Sequence, residues 1–190
     1  MRNTQANIIW ESDFYHSVEN CIIRKNNSGY EIDSTIAGKY KNQIFKVDYT
    51  IRTRRNWTAN YVVINAQINH SAWDITLEEK RGKWFLKDKP IEMFENIPFI
   101  DISLTPFTNT LPINGLQLKD NEQQVIDVIY FDILKNEINS LKQVYTRLSN
   151  NTFLYQNYDG SFSAEITVDE AGLVIHYPGL FEMKSKQQNN

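Results

Sequence analysis

At 190 residues, 41% hydrophobic and 23% charged, the chain has the size and composition of one folded domain rather than of a disordered segment. Its net charge of -3 comes from acids and bases interspersed along the length, which excludes the positive field that a nucleic-acid binder needs. A single cysteine, Cys21, excludes an internal disulfide and a cysteine-based zinc site, and fits a buried thiol in a reducing compartment.

The N-terminus, Met1 to Asn7, is polar and lacks the apolar core of a secretory signal. No segment approaches the roughly 18 continuous apolar residues of a transmembrane helix. A cytoplasmic location without a membrane span is therefore expected. Ile8-Ile9-Trp10 opens the apolar pattern, and Asn27-Ser28-Gly29 is the first turn signal. Phe45, Val47, Tyr49 and Ile51 then alternate with Lys46, Asp48, Thr50 and Arg52, the period of a half-buried strand. Trp57 follows the polar stretch Thr53-Arg54-Arg55-Asn56 at a strand end and is the expected wall residue of a cavity.

The same period recurs at Trp73, Ile75 and Leu77, at Ile100, Ile102 and Leu104, and at Phe162, Ala164, Ile166 and Val168. Turn chemistry separates these runs at Lys80 to Lys83, Asn150-Asn151, Asp159-Gly160 and Asp169 to Gly172, so consecutive antiparallel strands are predicted. Residues 119 to 143 are ambiguous. Val125, Ile129, Leu134, Ile138 and Leu141 fit one helical face, whereas Val125 to Phe131 is β-branched and aromatic. We read a strand buried on both faces, followed by an irregular connection. With few helical alternatives elsewhere, the class is all-β with little helix: one antiparallel sheet that closes or rolls up to protect its edges. One domain over residues 1 to 183 is predicted, with Lys184 to Asn190 as a frayed polar tail.

Several strings carry a resemblance to a known family. Residues 105 to 113 read Thr-Pro-Phe-Thr-Asn-Thr-Leu-Pro-Ile; towards the C-terminus come Tyr145-Thr146-Arg147-Leu148, Phe162-Ser163-Ala164-Glu165, Val168-Asp169, Gly172-Leu173-Val174 and Tyr177-Pro178-Gly179-Leu180. Earlier landmarks are Ile8-Ile9-Trp10, Glu19, and Val47 to Ile51 followed by Trp57-Thr58. In order and spacing these resemble the bacterial putative glycolipid-binding family. The resemblance implies a spiral β-roll likened to lipoprotein carriers, and an amphiphile, a glycolipid by the family's label, as ligand. Two departures stand out. Asn114-Gly115 occupies the place of the family's usual arginine pair, and Phe181 that of its final tryptophan.

Candidate ligand contacts follow. Thr108, Asn109 and Thr110, confined between Pro106 and Pro112, are read either as a rigid loop or as a polar rim hydrogen-bonding sugar hydroxyls. Arg147, on a strand with Tyr145, either pairs with Glu165 to hold two strands in register or faces the cavity and takes an anion. His176 and Tyr177 complete the set. His16, His70 and His176 share no metal-ligand spacing, and no nucleophile or phosphate-loop motif is found; no metal and no cofactor are expected. The leading reading is a non-enzymatic carrier with an aromatic cavity. Its alternatives are an enzyme using Asp101, Glu165 or His176 as acid and base, and a filled roll serving as an interaction module.

Overall fold

The structure, a computed structural model, describes the backbone of residues 3 to 188 and side chains from residue 6; the last two residues of the expected tail lie outside it. Strands β1 (Asn3–Ser12), β2 (Ser17–Lys25), β3 (Gly29–Tyr40), β4 (Gln43–Arg54), β5 (Ala59–Ile68) and β6 (Ser71–Lys80) form a meander that continues through the short β7 (Lys83–Leu86) and β8 (Lys89–Pro90). A 3₁₀ turn at Glu92–Phe94 leads to β9 (Phe99–Ile102), and a second at Phe107–Asn109 runs into the single helix, α1 (Thr110–Leu116). The remaining strands are β10 (Gln123–Asp132), β11 (Glu137–Arg147), β12 (Thr152–Asn157), β13 (Ser163–Val168), β14 (Val174–Tyr177) and β15 (Phe181–Gln187). All fifteen belong to one sheet, which runs from β8 down to β1, across to β15, and down again to β9. The all-β class with one antiparallel sheet and little helix, as read from the sequence, is thus the observed one but for a single parallel pair.

Three departures from the sequence reading matter. First, β9 and β10 pair in parallel. Parallel neighbours cannot share a hairpin, and residues 103 to 122, including α1, supply the crossover. Second, the irregular connection expected after Phe131 is a short turn followed by β11, which pairs with β10 from Gln123↔Thr146 to Asp132↔Glu137. Much of β11 is exposed, with Gln143, Val144 and Tyr145 as its buried run, so its side chains show no apolar alternation to read. Third, residues 184 to 187 are not frayed. Ser185, Lys186 and Gln187 pair with Ile9, Ile8 and Asn7 across the seam that joins the two ends of the chain. Backbone pairing needs no apolar side chain, and Lys186 adds an ion pair to Asp169 at 2.6 Å.

The sheet does not close. Instead its β9 end is tucked against the face of β2 to β4 that carries Cys21, Ile32 and Val47. The backbone N–H of Ala59 donates to Pro98 O at 2.8 Å, and Gln43 Nε2 donates to Leu134 O at 3.2 Å. Consequently Ile100, Ile102, Ile129 and Phe131 on one face and Phe99, Ile126 and Val128 on the other are all buried. Trp10 and Trp84 anchor the core, their indole N–H groups donating to Val174 O at 2.7 Å and Ile97 O at 2.9 Å.

One carboxylate fastens the crossover to the sheet. Glu19 lies in the inward phase of β2, between Ser17 and Cys21, and is buried. Its Oε1 accepts the hydroxyls of Ser34 at 2.7 Å, Tyr49 at 2.6 Å and Thr105 at 2.9 Å, joining β2, β3 and β4 to the start of the crossover. Its Oε2 receives no hydrogen bond. Desolvation therefore outweighs the three donors and pushes the carboxyl up to about 7. The folded state holds this proton more tightly than the unfolded one. The resulting stabilisation is fully present below about pH 4.5 and is lost as pH rises through about 7. Glu19→Gln is expected to abolish this dependence. Relative to the variant, the native chain should lose on the order of 3 kcal/mol between pH 4.5 and 8, read by urea denaturation at the two pH values; parallel curves would refute it.

Candidate active-site region around Asp101

The crossover brings a polar cluster to one face of β9 to β12. Asp101 on β9 stands opposite Tyr130 on β10. Its Oδ1 accepts the Thr108 hydroxyl at 2.8 Å and its Oδ2 accepts Gln143 Nε2 at 2.7 Å. The Thr108 hydroxyl oxygen also accepts the backbone N–H of Ile102 at 3.3 Å. One residue on, Asn109 accepts the Tyr145 hydroxyl at 2.8 Å through Oδ1 and donates to Pro106 O through Nδ2 at 3.2 Å. Pro112 is tolerated because it sits in the first turn of α1, where backbone N–H groups lack helical partners in any case.

Around this cluster runs a ladder of aromatic rings. Tyr145 and Tyr155, opposite each other on β11 and β12, meet edge to face at 5.4 Å. Tyr155 reaches Tyr177 at 6.3 Å, Tyr177 reaches Phe181 at 6.2 Å, and Phe181 reaches Tyr15 at 5.9 Å. Tyr15 then packs against Tyr40 and Phe14, and Phe14 is exposed at the surface. The ladder thus connects the interior to solvent.

Burial raises the Tyr15 hydroxyl to about 12, helped by the charges of Tyr40, Asp132 and Asp101. Tyr130, Tyr145, Tyr155 and Tyr177 are likewise raised, first by burial and then by charges that include Asp101. Five tyrosines therefore share one carboxylate as a common electrostatic neighbour. Asp101 is itself pushed upward by burial, against the lowering effect of Thr108, Gln143 and the Ile102 backbone.

Of the residues singled out in the sequence, Thr108, Asn109, Tyr145 and Tyr177 converge here. The first two form a buried floor rather than an exposed rim, and Thr110, also buried, has a hydroxyl with no hydrogen-bond partner. Trp57 lies elsewhere, in the β4–β5 turn with φ of 66°, its ring stacked on Tyr30 at 3.9 Å. Arg147 does not meet Glu165. β12 separates their strands, Glu165 is exposed, and the guanidinium instead holds Leu118 O at 2.9 Å, Asn150 Oδ1 at 3.0 Å and Asp120 at 3.2 Å. His176 is exposed opposite Glu182. With Tyr177 and Phe181 it lines a cleft of about 110 Å³ whose other walls include Glu11 and Lys184. Asp101, Glu165 and His176 are thus not assembled as an acid–base group.

Tyr15, Tyr130, Gln143, Tyr155 and Phe181 complete the cluster and were not singled out as site residues. A polar residue directly before Val144-Tyr145 was the one available hint, for Gln143. A larger groove of about 450 Å³ lies further along β9 and β10, lined by Met93, Ile97, Phe99, Leu116, Val125 and Ile126 among others. By strand alternation Phe99 and Ile126 share the face of Asp101 and Tyr130. Asn114 and Gly115, in place of the arginine pair, are packed parts of the fold. Asn114 Nδ2 donates to Ala171 O at 2.9 Å, and a Cβ on Gly115 would lie 2.7 Å from the Phe99 ring.

A family profile described as "Putative glycolipid-binding" matches residues 7–183. Among solved structures, the chain is similar to a DUF1089 family protein from Pseudomonas aeruginosa, with 32% identity, a TM-score of 0.78, and coverage of 86% of this chain and 91% of that one. It also shares the fold of a beta-barrel-like protein of a domain of unknown function, DUF1849, from Brucella abortus, with 8% identity, a TM-score of 0.57, and coverage of 100% and 99%. No curated protein matches it. Among the described residues no helix is long and apolar enough to cross a membrane.

Two substitutions test this packing. Thr108→Val strips Asp101 and the Ile102 N–H of a partner and should cost about 1–3 kcal/mol in urea denaturation; an unchanged midpoint would contradict the assigned bonds. Gly115→Arg, which introduces one arginine at the position of the family's pair, should destabilise by a similar amount, about 1–3 kcal/mol, through collision with Phe99, and thermal melting reads it directly.

Proposed function

The chain belongs to the Putative glycolipid-binding family, and from that premise we propose that it binds and carries an amphiphile without transforming it. The polar head seats beside Asp101 among the tyrosines, and the hydrocarbon lies along the groove of Met93, Phe99, Leu116 and Val125. The observation that carries this reading is the aromatic ladder that leads from exposed Phe14 to a carboxylate ringed by tyrosines. Flat rings offer stacking faces to a sugar, and Asp101, Gln143 and Asn109 offer directional polar contacts. Burying acyl chain in the groove adds about 0.8 kcal/mol per methylene.

A carrier role is supported by the way Asp101 is engaged. Both its oxygens are already tied to Thr108 and Gln143, while Glu165 and His176, the other candidates for proton transfer, lie outside the cluster. On this reading the site holds and releases its ligand, and its location is the cytoplasm.

After incubation with a mixed bacterial lipid extract, native mass spectrometry should show a stoichiometric amphiphile on the protein. Replacing Tyr155 and Tyr177 together by leucine, which keeps the core filled, should lower the bound fraction about tenfold, the equivalent of one lost stacking contact. A clean ligand-free mass for the native chain would overturn the proposal.

A further inference from the structure

Asp101 has an unusual electrostatic setting. It is drawn into the fold without a cation: burial raises its carboxyl, and every group that offsets this is a neutral hydrogen-bond donor, namely Thr108, Gln143 and the Ile102 backbone. The other acid beside Tyr15 and Tyr130 is Asp132, whose charge is met by Lys135 at 2.9 Å. Nothing equivalent reaches Asp101 among the described residues.

Among the tyrosines that feel this carboxylate, Tyr145 and Tyr155 already donate to Asn109 and Asn157; Tyr15 and Tyr177 differ. Tyr177 is more than nine-tenths buried. Its hydroxyl, like that of Tyr15, feels the charge of Asp101 but is engaged in no hydrogen bond to another residue. Neither hydroxyl is among the buried side-chain atoms left without a partner, so both reach solvent, and a hydroxyl open to solvent with no protein partner is free to meet a ligand. The chemistry of the surroundings discriminates among ligands. Carboxylate and hydroxyl oxygens accept from an N–H donor, ring faces attract a positive charge, and a phosphate or carboxylate would meet Asp101 as a like charge in a poorly solvated site.

We infer that the head group carried at this site bears an amine: the ammonium of an amino sugar, or of a comparable amino alcohol, sits against Asp101 while its neighbouring hydroxyls meet Tyr15 and Tyr177. This rests on the amphiphile reading above and narrows it to a basic head group. The ammonium supplies the missing counter-charge without disturbing Thr108 or Gln143, because three donors leave the carboxylate one acceptor position.

Titration calorimetry below the micellar concentration, at pH 7, compares octyl glucoside with its 2-amino-2-deoxy analogue, which differs by one amino group in place of a hydroxyl. The amino glycoside should bind about tenfold more tightly, the scale of one charge-assisted hydrogen bond. Asp101→Asn, isosteric and still able to bond Thr108 and Gln143, should reduce that preference to about threefold or less, whatever it does to octyl glucoside itself. A second comparison needs no variant. The N-acetyl form of the amino glycoside has lost the charge and should bind the native protein no better than octyl glucoside. Equal binding of octyl glucoside and the amino glycoside would overturn this inference and leave the carrier reading standing. Failure of both glycosides to bind would overturn the two together.

Discussion

A sheet of fifteen strands that stays open has two edges, and the hiding of one of them shapes the rest of this molecule. β9 runs beside β10 in parallel, inside the roll, buried on both faces. That pairing demands a crossover, and the crossover cannot lie outside without leaving Ile100 and Ile102 bare. Residues 104 to 113 therefore pass through the interior before the chain surfaces at 119 to 122. Because any backbone passing through an apolar core must have its polar groups met, the segment is compact, helical and rich in short hydroxyl and amide side chains. The other edge is treated differently. β8 is two residues long and contains Pro90, a short, proline-bearing edge of the kind that resists strand addition.

The two buried carboxylates follow from the same constraint but do different things. Glu19 binds three hydroxyls on a single oxygen and joins the entrance of the crossover to β2, β3 and β4, so its surroundings are filled by the protein itself. Asp101 lies at the far side of the same segment, where Thr108 and Gln143 bond its oxygens and the hydroxyls of Tyr15 and Tyr177, which feel its charge, bond no other residue. One acid closes the structure and the other leaves chemistry available. Both sit above the ordinary carboxylate range because burial dominates, so elevation alone does not identify a ligand site; what sets Asp101 apart is the open hydroxyls of Tyr15 and Tyr177.

Much of the architecture was legible from alternation and turn chemistry. The Phe45 to Ile51 pattern became β4, and the Asp169 to Gly172 turn joins β13 to β14 as its residues suggest. The proline-bounded string was legible as something special, since two prolines around Thr-Asn-Thr suit neither a strand nor an ordinary hairpin. Its helical form was not, because Pro112 reads as a breaker until it is known to fall in a first turn. The parallel pairing of β9 and β10 was invisible as well: strand direction is set by where the crossover goes, and side-chain period carries no trace of it. That omission hid the site. Asp101 appeared only as a candidate acid or base alongside Glu165 and His176, and Tyr130 and Tyr155 as two aromatics among many, since only strand register places them in one cluster.

The seam between β1 and β15 has a consequence in time. β1 can pair with β2 as soon as residues 3 to 25 are made, yet its other neighbour is the last strand of the chain, residues 181 to 187. Throughout synthesis the outer edge of β1 waits unpaired, and the indole of Trp10 lacks its acceptor until Val174 has been added. Order of manufacture and order of assembly are thus opposed at the centre of the sheet. That edge of β1 stays open until residues 181 to 187 exist to cover it, so the sheet is completed by a pairing between strands far apart in sequence.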